Sequence, residues 1–267
     1  MTTTTTLAPA VTDRYRFGDV VRSEGTKFVS LRSTRWILVA FAATGVVLGV
    51  LVAVLSSAHY PDADAESRAH WDPTNNTLAG LIPGYLIIPV LGVLMITSEH
   101  GSGAIRSTLA AVPRRHQVLL AKALVFGVVV FAVAELVTFA AFLVGQQLTG
   151  DAPHASLGQP GVLRALVLSG LFLALLGVFG LGLGALVRRS GAAVALYFGL
   201  ALVVPDLLLA LPGGLWRFGP ITMLGNSVSA VRVDPEFLSP LVGFGAMAIY
   251  AAVALGAGTV ALVRRDV

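Results

Sequence analysis

The sequence predicts an all-α, polytopic integral membrane protein with six transmembrane helices, and three observations carry that prediction. Of 267 residues, 56% are hydrophobic and only 12% charged, with a mean hydropathy of +0.84. A soluble domain carries about 25% charged residues, so this chain lacks the charge to cover a water-facing surface. Six apolar stretches reach the length of about 20 residues that crosses a hydrocarbon core. Basic residues alternate between the connecting segments, as they do when Lys and Arg stay on one side of a bilayer. This composition excludes a soluble enzyme, a disordered regulator and a nucleic-acid module, despite a pI near 9.8. There is no cysteine, hence no disulfide frame, thiol nucleophile or Cys-ligated cluster.

Residues 1–35 form a cytoplasmic leader, threonine-rich at first, followed by an interfacial helix. Phe17, Val20, Val21, Phe28 and Leu31 share one face of that helix, and Arg22, Thr26 and Ser30 lie opposite. Such a helix lies in the headgroup layer with its apolar side in the acyl chains and its basic residues on anionic lipid. Glu24 falls on the apolar face, where it either snorkels to water or pairs with Lys27 or an attached partner. The six-span domain covers residues 36–263. Span one, 36–55, is uncharged, and its length and 35 preceding residues make it a retained anchor rather than a signal peptide. The next segment holds Arg68 against Asp62, Asp64, Glu66 and Asp72, without the ligand spacing of a metal site.

Span two, 78–97, contains Pro83 and Pro89, both candidates for kinks. In the following segment, Ile105, Leu109 and Val112 line one side of a short helix, with Ser102 as its expected N-cap and Pro113 as its end. Span three is 123–148 and span four 162–187, with Arg164 at its edge. Span five is 191–211, where Asp206 follows Pro205 and reaches interfacial water. Residues 212–240 are rich in Gly and Pro, and such broken backbone must pack in protein or face water. Span six, 241–263, leads to a four-residue tail. Of 18 basic residues, 14 fall on the side of the termini, which places both ends in the cytoplasm of a cell-membrane protein.

Two runs carry a family resemblance. Ser23-Glu24-Gly25-Thr26-Lys27-Phe28, with Leu31-Arg32-Ser33-Thr34-Arg35-Trp36, resembles the basic stretch before the first span in actinobacterial permease subunits of type 2 ABC exporters. Thr97-Ser98-Glu99-His100-Gly101-Ser102-Gly103-Ala104-Ile105-Arg106-Ser107-Thr108-Leu109, followed by Val112-Pro113-Arg114-Arg115, resembles their loop between spans two and three. The resemblance implies an interfacial connecting helix bearing Phe17, Glu24, Lys27, Phe28, Arg32 and Arg35. It also implies a coupling segment that meets a separate ATPase, with Glu99, Gly101, Gly103, Ile105, Arg106, Thr108, Leu109, Pro113, Arg114 and Arg115. Residues 212–240 would form short re-entrant helices closing the outer side. A second copy, or a similar permease, would complete the path, exporting apolar or amphipathic cargo by alternating access. No cofactor is expected in this chain: ATP and Mg would sit in the partner. In keeping with that, the only lysines are Lys27 and Lys122, and neither stands in a phosphate-binding Gly-x-x-x-x-Gly-Lys-Ser/Thr loop. The chain itself is expected to catalyse nothing.

Glu135 lies about 12 residues, roughly 18 Å, into span three. An acid at that depth costs about 2.5–3.5 kcal/mol on the insertion scale, and no Lys or Arg occupies a span interior to pair with it. Substrate contact along a transport path, a proton site and a structural bond to another helix are all open readings. A secondary carrier or channel built on Glu135, or a sensor or assembly protein, are the rival functions. Gly45 and Gly49, Gly80 and Gly84, and Gly180 and Gly184 permit close helix approach, within the chain or between copies.

Overall fold

The computed structural model describes residues 16–105, 115–230 and 234–264, and all regular structure among them is helical. The amphipathic helix spans Phe17–Ser30, and Leu31 (φ −75°, ψ 106°) breaks the ladder before span one, Arg32–His59. That extended residue turns the chain from a surface helix into a membrane-crossing one.

Span two begins at Pro73. Asp72 accepts the backbone N–H groups of Thr74 (3.0 Å) and Asn75 (3.1 Å), and proline in the first turn forfeits no bond. A 3₁₀ turn, Ala79–Leu81, separates this start from the helix Ile82–Gly101. Pro83 stands where the α ladder restarts, while Pro89 lies inside that helix.

Span three is Arg115–Leu148, longer than expected at its start. At 1.5 Å per residue its 34 residues reach roughly 51 Å, more than the hydrocarbon core needs. Lys122 therefore belongs to this helix and not to the loop before it. Span four, Val162–Val187, is the central helix, packed against spans two, three and six. Of its most apolar window 78% is buried, against 22% for span five.

Span five, Ser190–Leu209, contains a π-helical turn, Gly199–Val203, immediately before Pro205. The wider turn accommodates a ring that would clash with the carbonyl four residues earlier. Residues 212–240 supply two short 3₁₀ helices, Leu215–Phe218 and Thr222–Ser227, the second packed on span six, Pro240–Arg264.

Small residues lock these helices together within the chain. A Cβ on Gly80 would strike the Gly45 carbonyl and the Gly49 backbone, so spans one and two touch backbone to backbone. Gly180 lies on the Pro89 carbonyl and Gly92 on that of Gly177, joining spans two and four. Gly84 is backed by the Phe41 ring, and Gly184 by the backbone of Val93. All six glycines named from the sequence thus serve contacts inside one chain.

Candidate functional site

At the end of the bundle that carries the amphipathic helix, four charged side chains converge. Lys122, at the start of span three, donates to Glu24 Oε2 (2.5 Å) on the amphipathic helix and to Glu99 Oε1 (2.7 Å) at the end of span two. Lys27 donates to Glu24 Oε1 (2.7 Å) and lies 4.0 Å from Glu99 Oε1. The chain's two lysines and two of its glutamates therefore form one neutral cluster. Its centre is dry: the Lys122 and Glu24 side chains are each 1% exposed, Glu99 17% and Lys27 38%.

Local structure explains the convergence. Glu24 lies between Val20 and Phe28 at spacings of four, so the three form the buried stripe of the amphipathic helix. Val20 packs with Val118 and Ala121 of span three, and the Phe28 ring meets Phe126 edge-on at 6.2 Å. That stripe rests on protein, not on acyl chains as expected, while Phe17 and Leu31 are exposed at its ends. Glu24 does not snorkel to water. Burial alone would raise its pKa, but the Lys122 and Lys27 ammonium groups outweigh that and hold the carboxyl below its ordinary value.

The described start of the segment leaving span two, through Ile105, is anchored. Ser102 donates its hydroxyl to the Ser98 carbonyl (2.9 Å) at the end of that helix, while the helix it is expected to cap lies largely outside the described residues. Gly103 takes φ +74°, a left-handed conformation that favours glycine. Ile105 then returns into the hydrophobic core. Arg106, Thr108, Leu109, Pro113 and Arg114, all named from the sequence, lie outside the described residues. Gly101 is exposed, as are Arg32 and Arg35.

Two arginines bind the same end together. Arg115 donates to the Leu262 carbonyl (3.2 Å) and Arg188 to that of Ala261 (2.7 Å), both at the last turn of span six. Cations suit the carbonyl end of a helix. Arg188 holds φ 63°, strained for a residue with a side chain, and its backbone N–H closes span four on Gly184.

At the opposite end, Asp72 also accepts the Ala230 N–H (2.8 Å), and Arg164 donates to the Ser229 carbonyl (2.6 Å). The start of span two and the 212–240 region thus close over one another. A hollow of about 410 Å3 lies there between Val52, Asn76, Ile82, Tyr85, Leu224 and Phe237. Nothing in the sequence pattern marked it. Glu135 lies far from the charged cluster, against the bare backbone of Gly170, where a Cβ would collide with Oε1.

Fold and site define the class: a six-span helical membrane protein with a charged junction at one end. No protein-family model matches the chain, and no curated protein matches it.

Proposed function

We propose that this chain is the membrane-spanning subunit of an ATP-driven ABC exporter, moving apolar or amphipathic cargo by alternating access. The observation that supports it best is the four-charge junction. Glu99 begins the segment whose sequence resembles a coupling loop, and Lys122 joins it to the amphipathic helix and span three at once. A push on that segment passes through Glu99 and Ile105 into spans two and three without slack. The same push moves the amphipathic helix through Glu24. On this reading ATP and Mg are bound by a partner ATPase on the cytoplasmic side, in keeping with a sequence that carries no phosphate-binding Gly-x-x-x-x-Gly-Lys-Ser/Thr loop. Two permease copies, or this one and a similar subunit, frame the path.

Affinity purification of the tagged chain from its native membrane tests this. An ATPase subunit is expected to co-isolate, and Arg106→Glu or Gly103→Trp is expected to remove it or to abolish ATP-dependent transport in the reconstituted complex. Isolation without any ATPase, with transport untouched by both substitutions, overturns the reading. So does uphill transport by the purified chain alone on an ion gradient, which is what a secondary carrier would do.

A further inference from the structure

Glu135 stands one helical turn beyond a groove. Leu124, Val128 and Phe131 of span three, with Leu171 and Leu175 of span four and Phe244 of span six, line an apolar hollow of about 270 Å3 on the flank of the bundle. Leu124 and Val128 are exposed along it. On span three the spacing 124, 128, 131, 135 is that of one helix face, so Glu135 stands one turn beyond Phe131 on the groove-lining stripe. On span four Gly170, which touches the carboxylate, is the neighbour of Leu171. The missing side chain at Gly170 is what lets the carboxyl sit there.

Among the described residues that carboxyl has no counter-charge. Its Oε1 is shielded and has no hydrogen-bond partner among the described residues. Lys122 is 13 residues away, about 20 Å along the helix, and is held by Glu24 and Glu99. Arg164 is six residues from Gly170, about 9 Å along span four and roughly a third of a turn round it, and donates to Ser229. An intramembrane acid persists when something compensates it, and among the described residues no cation does so for this carboxyl, which stands one turn beyond the apolar groove.

We propose that the groove between spans three and four binds a lipophilic monocation, its apolar body along Leu124, Val128, Phe131 and Leu175 and its positive centre on the Glu135 carboxylate. As a cargo site this rests on the exporter reading; as a binding site it does not, because it requires no ATPase. Equilibrium binding of tetraphenylphosphonium to the purified full chain in detergent separates the two. Saturable binding is expected, at least about tenfold weaker in Glu135→Gln, weakened also by Val128→Trp, which fills the groove from an exposed position, and absent for tetraphenylborate, of the same shape and opposite charge. Elution as one monodisperse species certifies the fold of each variant, and Val128→Trp decides the matter if Glu135→Gln does not fold. Unchanged affinity in a folded variant, or equal binding of the borate, overturns the proposal. A change of oligomeric state in Val128→Trp with phosphonium binding intact also overturns it, making the groove an interface between copies. Co-isolation of an ATPase is unaffected by any of these results.

Discussion

Lys122 holds two carboxylates from elements that lie far apart in the chain, and that makes it the residue on which the junction depends. Removing one partner from a buried ion cluster leaves uncompensated charge, at a cost of about 3–5 kcal/mol, whereas replacing partners together is often neutral. Lys122→Met is therefore expected to lower resistance to heat unfolding in detergent sharply, and Glu24→Gln/Glu99→Gln/Lys122→Met to recover much of the loss. Lys27→Met should matter less, because water screens its half-open side chain. The same cluster sets a pH dependence. The folded-state pKa of Glu24 lies below its ordinary value of 4.5, so its contribution is fully present above that pH and is lost as pH falls through the folded value. The hydrogen-exchange protection of residues 17–30, taken relative to the intrinsic rate at each pH, should stay constant from neutrality to about pH 5 and fall below pH 4.5, and Glu24→Gln should remove the difference. In sequence, Glu24 reads as a misfit with Lys27 three residues on, and that pair was legible from helical spacing. Lys122 was not, because its two partners are 98 and 23 residues away and no local pattern joins them.

At the scale of the helices, backbone contact decides what can be changed. Gly80→Ala drives a methyl into the Gly45 carbonyl and the Gly49 backbone, which cannot yield as a flexible side chain would. An overpacking cost of about 1–3 kcal/mol is expected, read as a lower midpoint in detergent unfolding. Gly245→Ala, with open space around its Cβ on span six, should be neutral or gain up to about 1 kcal/mol of helix propensity. The small-residue spacing was visible in the sequence. Which helices it joins was not, since periodicity marks a face and never its neighbour. Span three shows a related limit. Hydropathy locates its apolar centre, but its first two turns, with Arg115, His116 and Lys122, are polar enough to read as loop and become helix through tertiary partners.

For the whole molecule, six helices are long and apolar enough to cross a membrane, and an even number of crossings is expected to return the chain to the side it left. The absence of cysteine makes this directly measurable. Single cysteines at Gly25 and Gly101 should react with an impermeant maleimide from one side of sealed vesicles, and those at Asp64, Asp151 and Gly213 from the other. A mixed pattern within either set refutes the topology. Span four carries the architecture: its glycines admit span two closely, and its far end is tied through Arg188 to span six.

Composition, apolar length and basic alternation determined by themselves that the chain is helical, that it crosses a bilayer and how often. These are sums over many residues against one solvent, so no knowledge of neighbours enters. The tertiary structure alone decided that Glu24 is a paired centre and not a surface misfit, that Lys122 joins three elements, and that Glu135 packs against Gly170 with no cation beside it among the described residues. Those are contacts between particular atoms brought together by packing, and a linear chain does not record which of its distant residues will meet.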